Sequence, residues 1–216
     1  MFYLGKLKNY ITFWELYSKG IMRENLAEYK DALNNLFAAV SLNSKSLKCY
    51  KAIARINRKN RQLFYSLDFY TKAILIYPQN AELYAFRADI YRKLKEYNNA
   101  IEDYDNAIRI NYSNIEYYIQ RSILKHITND IQGAINDITS AIFWNKKNYK
   151  LFEIRAFYKL EKHLFESAQE DYTEAIKLFP KNGHLFYMRA CVKTLLNNTE
   201  SAKSDYEEAM KYDISN

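Results

Sequence analysis

Apolar residues recur along this chain at intervals of three and four for about 13 positions, break at a short polar stretch, and then resume. "KEYNN", Lys95 to Asn99, is one such break. The pattern predicts pairs of amphipathic helices joined by tight turns, and the pairs themselves repeat. "AIEDYDNAI" begins at Ala100, "AINDITSAI" at Ala134 and "AQEDYTEAI" at Ala168, a step of 34 residues. The same step reaches "AKSDYEEAM" from Ala202, "SLDFYTKAI" from Ser66 and, more faintly, "ALNNLFAAV" from Ala32. Six blocks follow, at 13–46, 47–80, 81–114, 115–148, 149–182 and 183–216, preceded by a segment 1–12 read as an N-terminal cap in which Phe2 and Gly5 echo a truncated second helix.

The blocks share columns of residues. A small side chain stands in each first half (Gly20, Ala54, Ala88, Ser122, Ala156, Ala190) and an alanine late in each second half (Ala39, Ala73, Ala107, Ala141, Ala175, Ala209). Bulky residues alternate with them: Leu16, Tyr50, Tyr84, Tyr118, Phe152 and Phe186, then Leu36, Tyr70, Tyr104, Ile138, Tyr172 and Tyr206. Large against small is the packing of knobs into holes, and it lets helices approach closely. Pro78 and Pro180 fall just past second helices, where proline ends a helix without kinking it; Ser44, Tyr112, Lys146 and Ile214 take that place elsewhere.

Period, alanine columns, aromatic column and the two prolines together resemble the tetratricopeptide repeat over residues 13 to 216. The resemblance implies an all-α, right-handed superhelical solenoid of six helix-turn-helix repeats, with first helices lining a concave surface and second helices forming the back. It also implies a non-catalytic scaffold for protein-protein interaction. In the family, one well-known groove grips the C-terminal carboxylate of chaperone tails with Lys and Asn in one first helix, Asn in the next, and Lys and Arg in the third. The aligned positions here hold Tyr17 and Ile21, Ala52, then Glu82 and Phe86, so that activity is disfavoured.

Composition narrows the classes further. With 49% hydrophobic residues the chain can bury a core, and with only four glycines and two prolines it lacks the turn chemistry of hairpins and phosphate loops. Cys49 and Cys191 stand alone, without metal-ligand spacing. No leader-like segment or apolar run of membrane-spanning length occurs, so a cytoplasmic, reducing setting is expected. Enzyme signatures are absent, His126, His163 and His184 form no cluster with either cysteine and read as surface or packing residues, and no cofactor or metal is expected.

Three candidate features remain, two of charge and one apolar. Arg87, Arg121, Arg155 and Arg189 in first helices and Asp103, Asp137, Asp171 and Asp205 in second helices keep the period, which points to a structural ladder of charge-assisted hydrogen bonds rather than a catalytic pair, since a site occurs once. Residues 1–80 hold 13 Lys and Arg against 5 acids, and the run Lys45 to Arg61 has seven basic residues and no acid. Within it Lys48, Lys51, Arg55 and Arg58 share one helix face; a solvated face is the ordinary reading, and a surface for acidic peptide, anionic lipid or nucleic-acid phosphate is the sharper one. Third, Ile119, Ile123, Ile127, Ile154, Phe157, Leu160, Tyr187, Met188, Cys191 and Leu195 place an apolar patch on first helices where the family's groove would run. The expected partner is therefore a protein or peptide with acidic and apolar features, with nucleic acid as an alternative and homo-oligomerisation through the uncapped last block, ending at Asn216, as a third.

Overall fold

Every polar break in the sequence is a turn of one kind. A non-glycine residue with positive φ ends each first helix, at Ala27, Arg61, Lys95, Asn129, His163 and Asn197, again 34 apart. The next residue's amide (Glu28, Gln62, Glu96, Asp130, Leu164, Asn198) reaches back to the carbonyl five residues earlier at 2.7–2.9 Å. This satisfies an orphan helix carbonyl in the manner of a Schellman turn. Left-handed backbone without glycine costs about 1 kcal/mol, which the returning hydrogen bond and the packing beyond it offset.

First helices begin on a second column. Ser46, Asn114, Asn148 and Asn182 accept a hydrogen bond from a first-turn amide, at 3.0–3.4 Å, and Asn80 stands at the same place without one. The aromatic column has a further use: Tyr50, Tyr84 and Tyr118 donate their hydroxyls to the loop carbonyls of Ser44, Pro78 and Tyr112. Phenylalanine at 152 and 186 forgoes that bond.

The computed structural model describes the backbone of residues 2–213 and the side chains of residues 5–212, all helix and turn with no strand among them. The chain divides into two compact units, residues 1–110 and 111–216. In the first, α1 (Phe2–Asn25) packs on α2 (Tyr29–Leu42), α3 (Leu47–Lys59) on α4 (Leu63–Ile76) and α5 (Ala81–Lys93) on α6 (Tyr97–Ile110), while α2 meets α3 and α4 meets α5. The second unit repeats the scheme: α7 (Ile115–Ile127) on α8 (Ile131–Trp144), α9 (Tyr149–Glu161) on α10 (Phe165–Leu178) and α11 (Gly183–Leu195) on α12 (Thr199–Asp213), joined by α8 on α9 and α10 on α11.

The small-residue columns lie in these seams: Ala54, Ala88, Ser122, Ala156 and Ala190 are fully buried, as are Ala39, Ala73, Ala107, Ala141 and Ala175. At Gly20 the approach is close, since a Cβ there would lie 2.7 Å from Cγ of the buried Leu36. Two further columns complete the core: Cys49, Leu83, Tyr117, Leu151 and Leu185, and Ile56, Ile90, Leu124, Tyr158 and Val192, all buried.

The N-terminal expectation is corrected. Helix α1 runs unbroken from Phe2, so residues 2–12 lengthen the first helix of block one instead of forming a separate cap. Gly5 does not break it, because an isolated glycine costs only about 1 kcal/mol in a helix and no polar turn follows. The side chain of Phe2, the position of Ile214 and the end at Asn216 lie outside the described residues.

Candidate functional site

The Arg and Asp columns meet within each hairpin. Arg87 clasps Asp103 through Nε and Nη2 at 2.8 and 2.7 Å, and Arg121–Asp137, Arg155–Asp171 and Arg189–Asp205 repeat the fork at 2.5–2.9 Å. All four aspartates are buried. Arg87, Arg155 and Arg189 also reach the hydroxyls of Thr71, Thr139 and Thr173 on the preceding second helix, so one guanidinium ties two hairpins together. That threonine column keeps the period and was available in the sequence.

The rungs are not equal. Lys125, Lys159 and Lys193 add a second cation to Asp137, Asp171 and Asp205 at 3.0, 2.7 and 2.8 Å. In α5 the equivalent residue is Tyr91, and among the described residues Asp103 has Arg87 as its one cation. Burial therefore holds the Asp103 carboxyl above the ordinary carboxylate range. Burial also pushes Asp205 upward, yet the hydrogen bonds from Arg189 and Lys193 outweigh it and hold that carboxyl below its usual value.

The basic run in α3 has carboxylate partners on neighbouring first helices, about 31 residues away in sequence. Arg55 forks onto Glu24 of α1 at 2.8 and 2.6 Å, with Lys59 on the same carboxylate at 2.8 Å. Lys51 meets Glu82 of α5 at 2.6 Å, Arg58 meets Asp89 at 3.2 Å, and Lys48 lies over the Trp14 ring at 4.7 Å. Glu24 is 4% exposed; burial raises its pKa, and Arg55 and Lys59 more than reverse that. The absence of acids within Lys45 to Arg61 thus says little about free charge, because the compensating acids arrive from adjacent repeats.

The apolar patch resolves into parts. Ile123, Ile154, Phe157 and Met188, from α7, α9 and α11, line a cavity of about 400 Å³ together with His126, Glu153, Tyr158, Tyr172 and His184. Ile127 is half-exposed away from it, and Ile119 and Leu160 are half-buried, Leu160 against the core formed by Ala156, Tyr172 and Val192. Tyr187 and Cys191 turn instead to Tyr206 of α12, by an edge-on ring contact and a 3.6 Å hydroxyl-to-sulfur bond. His126 and His184, read from sequence as surface or packing residues, stand at the cavity's rim, paired with Glu161 at 2.7 Å and Glu153 at 3.4 Å. Their spacing from the apolar column on the same helix faces was the available signal. Among the described residues no group of three or more His, Cys, Asp and Glu is arranged to hold a metal, and no helix is long and apolar enough to cross a membrane.

Helical hairpins stacked at a 34-residue period, with small residues in the seams, define an all-α helical-repeat protein. Residues 81–114 and 183–213 match the family model described as tetratricopeptide repeat. No curated protein sequence is similar enough to match. Among solved structures, a tetratricopeptide repeat protein from Parabacteroides merdae is similar at TM-score 0.71 and 20% identity, over 93% of this chain and 80% of its own. The Pseudomonas aeruginosa protein PilF aligns at TM-score 0.66 and 12% identity over 97% and 100%. YrrB, described as a TPR protein with an unusual peptide-binding site, aligns at TM-score 0.68 and 16% identity over 82% and 91%. Two of the six blocks thus match the tetratricopeptide repeat, and the chain as a whole has the fold of solved tetratricopeptide-repeat proteins.

Proposed function

We propose that this chain is a non-catalytic interaction scaffold, and that its second unit holds a peptide or helix of a partner protein on the face made by α7, α9 and α11. The observation that carries the reading is the cavity of about 400 Å³ that three successive first helices line with Ile123, Ile154, Phe157 and Met188. Phe157 is 43% exposed and Ile123 37%, on a face that the packing columns do not use. Groups of this kind gain by burial against a partner, and a rigid array of repeats presents them without an ordering cost.

Selection of a peptide-display library on the intact chain tests this. Phe157→Ala and Ile123→Ser should each weaken the selected peptides by more than about tenfold while the helical signal stays, since each removes burial worth roughly 1.5 to 3 kcal/mol. Undiminished binding in both variants would move the site off this face. The basic face of α3 is the less favoured surface, because Lys51, Arg55 and Arg58 are already paired within the fold.

A further inference from the structure

We infer that the cavity on α7, α9 and α11 receives a basic side chain, arginine in preference to lysine, carried by an otherwise apolar segment of the partner. This rests on the reading that the face holds a peptide, and it adds what that peptide must present.

The apolar walls and the carboxylate in the cavity make different demands. Ile123, Ile154, Phe157 and Met188 form an apolar wall, yet Glu153 lies among them and no lysine or arginine lines the cavity. Glu153 has His184 at 3.4 Å as its partner, on a side chain that is 61% exposed. The other acids that face inward in this unit, Asp137, Asp171 and Asp205, each have an arginine and a lysine within 3.0 Å. Beside Glu153 stands Tyr172, 1% exposed, whose hydroxyl makes no hydrogen bond among the described residues. Burial first and the Glu153 charge second push the Tyr172 phenol well up, so the two groups share one environment.

An occupant that is wholly apolar would strip water from a carboxylate whose partner is the ring of His184 at 3.4 Å, and from the Tyr172 hydroxyl, without giving either a new hydrogen bond, which costs more than its own burial returns. An acidic occupant would be repelled by Glu153 and, behind it, by Glu161, the partner of the lining residue His126. A long side chain with an apolar stem and a cationic tip meets both demands: the stem lies along Ile154 and Met188, and the tip reaches Glu153 and the Tyr172 oxygen. Guanidinium is favoured over ammonium because it forks onto a carboxylate and stacks on rings such as Phe157 and Tyr158. The partner feature that follows here is basic, opposite in sign to the acidic one suggested by the α3 run, whose charges are internally paired.

The test uses the full chain with labelled isoleucine and methionine methyls and three blocked tripeptides, Leu-Arg-Leu, Leu-citrulline-Leu and Leu-norleucine-Leu. The arginine peptide should move the methyls of Ile123, Ile154 and Met188 saturably, and citrulline, neutral but similar in shape, should bind about fivefold more weakly. Glu153→Gln should remove the advantage of arginine over citrulline and, because no carboxylate is then covered, strengthen the norleucine peptide. Tyr172→Phe, which keeps the ring in place, should weaken the arginine peptide by about twofold, as loss of one hydrogen bond at a half-open site does. Norleucine or citrulline binding as tightly as arginine would leave the peptide-binding face standing and overturn the present inference. Arginine affinity that survives Glu153→Gln would overturn it too. No methyl shift with any of the three peptides would overturn both readings together.

Discussion

The two units use one repeat and treat their first-helix faces in opposite ways. In residues 1–110 the face is charged and stitched from repeat to repeat, Arg55 to Glu24, Lys51 to Glu82 and Arg58 to Asp89. In residues 111–216 the matching face carries Ile123, Ile154, Phe157 and Met188 around a cavity. The packing columns are alike in both, so the fold does not decide what this face carries. A repeat protein can therefore close one stretch of surface with ion pairs and leave another open for a partner, at no change in scaffold. The contrast also reaches the interior: among the described residues the Asp137, Asp171 and Asp205 rungs have two cations each, whereas Asp103 has one.

The largest effect should come from cutting unequal rungs. Arg87→Ala leaves Asp103 buried with no cation, and should cost about 4 kcal/mol in urea unfolding. Arg155→Ala leaves Asp171 with Lys159 at 2.7 Å, and should cost only about half as much. Equal losses would break the comparison between the units. A smaller effect is expected at the seam of α1 and α2: Gly20→Ala must displace Leu36, and overpacking of this kind costs roughly 1 to 3 kcal/mol, against a helix-propensity gain of up to about 1. A variant as stable as the parent would show that α1 and α2 can part without loss.

Next is the repair of the single-cation rung. Tyr91→Lys should give Asp103 the second partner that its counterparts have, stabilising the chain by about 1 kcal/mol at neutral pH. The sign with pH follows from the carboxyl: a depressed folded pKa, as at Asp205, contributes stability that is present above the ordinary Asp value of 3.8 and is lost as pH falls through the folded value. Asp103, raised in the fold, works the other way, and ionising it as pH rises through its folded pKa weakens the native state. The gain from Tyr91→Lys should therefore shrink on acidification toward pH 3, and a gain of constant size across that range would refute the coupling. The smallest effect belongs to the turns. Lys95→Gly in the first unit and His163→Gly in the second should each stabilise by about 0.5 kcal/mol, relief of left-handed strain exceeding the entropy of glycine. Matching shifts in the two denaturation curves would show that the turns, unlike the faces, are common property of both units.

Much of this protein was settled by sequence alone. A 34-residue period, alanine in the seams and proline after second helices determined paired helices and their order, because residues that recur in step with a packing unit must serve the packing. The same logic sets Arg87, Arg121, Arg155 and Arg189 opposite their aspartates, and the capping asparagines and the Thr71, Thr139 and Thr173 column keep the same period. Tertiary structure decided what became of side chains outside the columns. Seven cations between Lys45 and Arg61 look free in one dimension, and only folding brings Glu24, Glu82 and Asp89 to them from first helices of adjacent repeats. Ten apolar residues look like one patch, and only folding turns Tyr187 and Cys191 toward Tyr206 while His126, Glu153 and Tyr172 join four of the rest around a cavity. Periodicity reports which contacts every repeat must make, whereas charge pairing and cavities depend on distances between repeats, and those exist only once the hairpins are stacked.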